Sequence, residues 1–120
     1  MAQVPDIIRQ MAEHMATTVP QAASLGFRLV SVEVGRGSIQ APWREDLVGD
    51  PDTQVIAGGV VTSLLDHTCG LAMAAAAGTE AFSTATLDLR IDYMRPAAPR
   101  AGVVAEAHCY KLTQIGRAHV

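Results

Sequence analysis

Apolar and polar positions change their period along the chain, and each change marks an element. Over residues 5–17 the apolar Ile7, Ile8, Met11 and Met15 fall near one face of a helix, and Pro5 and Asp6 suit its first turn. Residues 26–35 alternate instead. Phe27 and Leu29, then Val30, Val32 and Val34, predict a strand with a register shift near Leu29. Gly35-Arg36-Gly37-Ser38 has turn chemistry, and residues 38–44 return as the second strand of a hairpin. Residues 45–54, rich in Asp, Gly and Pro, predict a loop.

Residues 58–77 are apolar nearly all round and rich in Ala and Leu. They predict a long, well-covered helix that stops at Gly78. Residues 83–95 then alternate cleanly: Leu87, Leu89, Ile91 and Tyr93 face one side, and Thr84, Thr86, Asp88, Arg90 and Asp92 the other. A loop over 96–102, a strand over 102–113 and a turn at 114–116 follow. Residues 117–120 open another strand as the sequence stops, so the C-terminal strands are expected to be incomplete.

This order is an α+β arrangement in one domain over residues 1–120, with one long helix and antiparallel strands that curl around it. Hydrophobic residues make up 49% and aromatics 4%, so the core must be aliphatic and alanine-rich. The net charge is -3 and the nine basic residues are scattered, which leaves no footprint for nucleic acid. The apolar run 58–78 is about long enough to span a membrane. Asp66 and His67 lie near its middle, however, so a buried helix in a soluble protein is expected. Cys69 and Cys109 are expected to be reduced packing residues, and no leader pattern opens the sequence, which makes the cytoplasm the expected location.

The chemistry concentrates in Gly58, Gly59 and Asp66. A helix N-terminus offers unpaired N–H groups and the positive end of a dipole, and glycines let a ligand approach them. Such a site suits an oxyanion that develops during acyl transfer. Asp66 lies eight residues on, about 12 Å along a helix axis, too far to share one carbonyl carbon with those donors in the same chain. Two helices side by side and antiparallel would bring them together twice, across a two-fold axis. On spacing alone, Asp66 is either a catalytic carboxylate or a buried acid bonded to a neighbour. His67 points about 100° away from it and is expected to be a packing or interface residue. The remaining histidines have no ligand spacing with Cys or carboxylates, so no metal site is expected.

The run GGVVTSLLDHTCGLA, followed by TATLDLRIDYMRPA, resembles the hotdog-fold thioesterase superfamily in its phenylacetate-pathway (PaaI-type) branch. Gly58, Gly59, Leu64, Asp66, Tyr93, Met94 and Pro96 stand at matching positions, and the resemblance spans residues 26–120. It implies a long helix wrapped by a curved antiparallel sheet, dimerised into a continuous sheet, with a dimer or a tetramer as the assembly. The implied reaction is hydrolysis of an acyl-CoA thioester to free acid and CoA, with no metal or redox cofactor. Gly58, with Gly59, would polarise the thioester carbonyl. Asp66 from the partner subunit would act as general base or as nucleophile. Thr86 would help to place the water, and Arg95 is a candidate contact for the CoA phosphates.

Two positions depart from the family. Its His before the Gly pair is Ala57 here, and its Asn or Gln seven residues before the first Gly is Pro51, with Asp52 and Gln54 near enough to stand in. These losses keep open a non-catalytic acyl-CoA-binding hotdog protein, either a sensor or a degenerate enzyme, whereas survival of Asp66 favours the enzyme. A hydratase on the same fold would need an Asp–His pair in another motif. In the dimer, strand 83–95 is expected to pair with its own copy about Leu89. That register sets Asp88 opposite Arg90, whereas centring on Arg90 would oppose Asp88 to Asp92.

Overall fold

Small residues decide how closely the central helix meets the sheet. The computed structural model describes residues 4–77, 85–112 and 118–119. Helix α1 (Asp6–Thr18) and a short α2 (Pro20–Leu25) lead into a hairpin of β1 (Arg28–Glu33) and β2 (Arg36–Ala41). A 3-10 turn at Glu45–Leu47 precedes a short pair, β3 (Val48–Asp50) and β4 (Val55–Ile56). The twenty-residue helix α3 (Gly58–Ala77) follows, and then β5 (Val103–His108), β6 (Lys111–Leu112) and β7 (Ala118–His119).

β1, β2 and β5 form an antiparallel sheet in that order, with β2 in the middle, while β6 pairs with β7. Helix α3 lies across β2 and β5, and α1 packs against β1 and α3. The close approach falls at Gly37 of β2, where a Cβ would sit 2.7 Å from Cδ2 of Leu71. Leu64, Leu71 and Ile39 are fully buried around that contact, and alanines fill much of the rest. Over Gly58–Ala76, α3 is long and apolar enough to cross a membrane. In this fold it is the core helix, with Leu64, Thr68, Leu71, Ala72 and Ala75 buried.

Several expectations are met closely. The hairpin has its register shift between Leu29 and Ser31; Val30 is the extra residue there and stays exposed. α3 begins at Gly58 and runs to Ala77, while the expected stop at Gly78 lies outside the described residues. Residues 118–119 form a strand, and the turn expected at 114–116 lies outside the described residues.

Other expectations need correction. The hairpin turn is Val34–Gly35 rather than 35–38. Glu33 pairs with Arg36, and Gly35 supplies the left-handed φ of 73° that the reversal needs. The buried stripe of α1 is Ile8, Ala12 and Ala16; Ile8 was expected there, Met15 packs part-buried against the core, and Ile7 stays exposed. α2 falls where no element was expected, and the expected loop over 45–54 holds the 3-10 turn and β3, which pairs with β4. The expected strand over 102–113 breaks at Cys109 and Tyr110 into β5 and β6.

The largest difference concerns the alternating segment 83–95, whose first two residues lie outside the described ones. From 85 to 102 no ladder forms among the described residues, and Leu87, Leu89, Tyr93 and Met94 stay exposed, Leu87 at 79% and Met94 at 88%. A strand pattern needs a neighbouring edge for its N–H and C=O groups. In the order β1-β2-β5 both sides of β2 are taken, and the segment does not join the outer edge of β1 or of β5.

Candidate active site

Helical spacing places Gly59, Thr62, Asp66, Cys69 and Met73 on one stripe of α3. None of the five is buried, whereas Leu64, Thr68, Leu71 and Ala75 on the opposite side are. The polar stripe is flanked on both sides. On one flank lies α1: a Cβ on Gly70 would meet Met15 Cε at 3.2 Å, and His67 Nε2 donates to the Met15 carbonyl at 2.8 Å. That carbonyl belongs to the last turn of α1, where helix carbonyls lack intrahelical donors, so His67 caps α1 from the core helix. The His67 and Phe27 rings also pack, 6.0 Å between centroids. A packing role was expected for His67, and this is one.

On the other flank runs the strap of residues 86–93, antiparallel to α3. At one end Thr86 Oγ1 donates to Asp66 Oδ1 at 2.5 Å. At the other end the Tyr93 hydroxyl reaches the first turn of α3, bonding the Thr62 hydroxyl and donating to the Gly58 carbonyl at 3.2 Å. Asp66 is thus half-buried on the face of α3 between these two flanks. Burial, and secondly the charge of Asp66, push the neighbouring Cys69 thiol above its ordinary pKa.

The N-terminus of α3 is fixed from behind. Ala57 donates its N–H to the Leu47 carbonyl at 2.8 Å, and the Ala57 carbonyl takes the N–H groups of Val60 and Val61 at 3.0 and 3.3 Å. Gly58 and Gly59 open the helix and are exposed. The N–H groups of Gly58 and Gly59, at the first two helical positions, have no acceptor within the helix. A Cβ at Gly59 would meet nothing within 4 Å. Beside this turn opens a groove of about 720 Å³, whose walls include Ile56, Val61, Tyr93, Arg95 and Val103. It is mostly apolar, with Arg95 as its cation.

The sequence therefore named residues that fall into two groups. Thr86 and Asp66 are in direct contact. Gly58, Gly59 and Arg95 share the groove end of α3, about 12 Å along the helix from Asp66. Of the two residues near the missing amide at Pro51, Gln54 is turned back into its own loop. The Gln54 side-chain amide donates to the Pro51 carbonyl at 2.6 Å, and the Asp52 N–H to Asp50 Oδ1 at 3.0 Å, all within one turn. Sequence reasoning used Tyr93 only as a motif position and passed over Thr62. The i to i+4 spacing of Gly58 and Thr62 was the signal for the latter. Nothing local signalled that Tyr93 would return to Gly58. Among the described residues no cluster of His, Cys, Asp and Glu could hold a metal.

A long helix laid on an antiparallel sheet, with a carboxylate on its open face and glycines at its start, defines a hotdog domain of the thioester-hydrolase class. The chain belongs to the thioesterase superfamily, whose family model matches residues 53–114. Comparison with curated proteins gives no match. Among solved structures, a Pseudomonas aeruginosa protein is 27% identical with a TM-score of 0.69, over 89% of this chain and 78% of that one. The E. coli PaaI protein, from the phenylacetic acid degradation operon, is 20% identical with a TM-score of 0.74, over 89% and 73%. Thioesterase superfamily member 2 from Mus musculus is 20% identical with a TM-score of 0.71, over 92% and 79%.

Proposed function

We propose that this protein is an acyl-CoA thioesterase of the PaaI type whose active site is completed by a second copy of the chain. The observation that carries the reading is the open stripe of α3. Its donors at Gly58 and Gly59 and its carboxylate at Asp66 share one face yet stand two turns apart. An antiparallel second α3 supplies Asp66 to the first helix's glycines and receives the same in return. Such a pair crosses near Thr62 and Ser63, whose small side chains let the helices approach. The exposed apolar strap finds its missing neighbour in the same assembly. It pairs with its own copy about Leu89, with Asp88 opposite Arg90, and buries Leu87 and Leu89.

The chemistry follows from the groups present. Asp66 takes a proton from water, and the resulting hydroxide adds to the thioester carbonyl carbon. Gly58 and Gly59 N–H groups receive the oxyanion. The tetrahedral species collapses with loss of the C–S bond, and CoA thiolate leaves and takes up the proton. Thr86 donates to Oδ1 of Asp66, which fixes the carboxylate and leaves Oδ2 for the water. The apolar groove at the α3 start accommodates an acyl or pantetheine chain, and Arg95 meets the CoA phosphates.

Thiol release across a panel of acyl-CoA esters tests this reading. Hydrolysis of at least one member is expected. Thr86→Val should lower kcat on it about tenfold, and Thr86→Ser should restore most of the loss, because one hydrogen bond to a charged group is at stake. Binding of acyl-CoA without turnover would instead leave a carrier or sensor.

A further inference from the structure

We infer that Tyr93 is a positioning residue for the Gly58–Gly59 amides, a role that rests on the hydrolase reading above. The Gly58 carbonyl and the Gly59 N–H are the two ends of one planar peptide unit. Whatever holds the carbonyl therefore orients the N–H. Two hydroxyls converge on that carbonyl, Tyr93 at 3.2 Å and Thr62 Oγ1 at 3.1 Å, and they also bond each other. They have two hydrogens between them. Every arrangement that uses both sends at least one to the Gly58 oxygen.

Thr62 alone makes only the ordinary back-bond of a helical threonine. Tyr93 adds what Thr62 cannot, an anchor from a separate segment. Its ring also lies 3.8 Å from the position of a Gly58 Cβ, so it packs on the residue whose carbonyl it binds. A hydrogen bond accepted by a carbonyl polarises its amide and strengthens the N–H as donor. At Gly59 a Cβ would meet nothing within 4 Å, and the N–H at this second helical position has no acceptor within the helix. The strap thus reaches both halves of the chemistry. Thr86 sets the carboxylate, and Tyr93 sets the donors that, in the assembled protein, work with the other copy's carboxylate.

Tyr93→Phe keeps the ring and removes only the hydroxyl. The expected result is a kcat lower by roughly threefold to tenfold, a KM within about twofold of the wild type and an unchanged Tm. The backbone ¹⁵N resonance of Gly59 should move upfield as the amide loses polarisation. A Tyr93→Phe/Thr62→Val double variant should lose more of both than either single one. Unchanged kcat in the double variant would overturn the assignment, as would a loss confined to KM, which would make Tyr93 a substrate contact. The Asp66→Ala variant separates the two layers. If it retains full turnover, the hydrolase reading fails, and the Gly59 resonance still reports whether Tyr93 polarises that amide.

Discussion

Asp66→Ala is expected to lower kcat/KM on the best acyl-CoA substrate by about 10²- to 10⁴-fold, the usual worth of a positioned general base. Asp66→Asn should be equally impaired. The amide keeps the shape and still accepts from Thr86, but it cannot take a proton from water. Stability should not explain the loss. Asp66 is half-buried and its one hydrogen bond among the described residues is to a strap residue, so neither variant should lower Tm by more than a few degrees. Thiol-release kinetics beside thermal scans check both statements. Wild-type turnover in either variant would remove Asp66 from the chemistry.

Leu71→Ala should have the largest effect on the fold. Leu71 is fully buried where α3 meets β2, and its Cδ2 approaches Gly37 so closely that a Cβ there would lie at 2.7 Å. Cutting a buried leucine back to alanine leaves a cavity and costs about 2–5 kcal/mol, a drop in Tm of roughly 10 °C or more for a domain of this size. Urea or thermal unfolding at fixed protein concentration measures it, because an oligomer's Tm depends on concentration. Gly37→Ala alone should also destabilise, by crowding Leu71. On the Leu71→Ala background the same methyl enters the vacated space, so the two changes should couple favourably by about 0.5–3 kcal/mol. Simple additivity would mean that α3 does not rest on β2 at this point.

The parts of the fold legible in the sequence are those that local chemistry settles. Residues 58–77 announce a helix by composition, and the phase change at Leu29 announces the bulge, because both act within a few residues. Pro20 opened α2 at a position that favours helix starts, but six residues without an apolar period gave no pattern to read. The short β3–β4 pair has too few residues to alternate. Segment 83–95 is the instructive case. Its period of two is plain, yet a period says only which side chains share a face. Whether a ladder forms depends on which edge elsewhere the segment meets, and it joins neither outer strand of the β1-β2-β5 sheet.

The site divides in the same way. Asp66 and the glycines stood out through their types and spacing on one helix, the family resemblance added Thr86, and Arg95 entered as a candidate cation for the CoA phosphates. The bond from Thr86 to Asp66 spans twenty residues, and that from Tyr93 to Gly58 thirty-five. Both depend on where the strap returns along α3, which no local signal encodes. The same holds for His67, whose partner Met15 lies fifty-two residues away. Its neighbour Asp66 drew the attention, and its own task is to tie α1 to the core helix.

The most direct test of a site shared between copies is complementation. Asp66→Ala removes the carboxylate. Gly58→Pro removes a donor while keeping a residue suited to the first helical position, and its Cβ would meet only ordinary contact with Tyr93 at 3.8 Å. Each variant alone should be nearly inactive. When the two are unfolded together and refolded as an equal mixture, half of the dimers are mixed, and each mixed dimer holds one intact site. Activity should then recover to about a quarter of the wild-type level. Activity that stays at the floor of the two variants, with mixed dimers shown to be present by mass, would contradict a carboxylate and donors drawn from different chains.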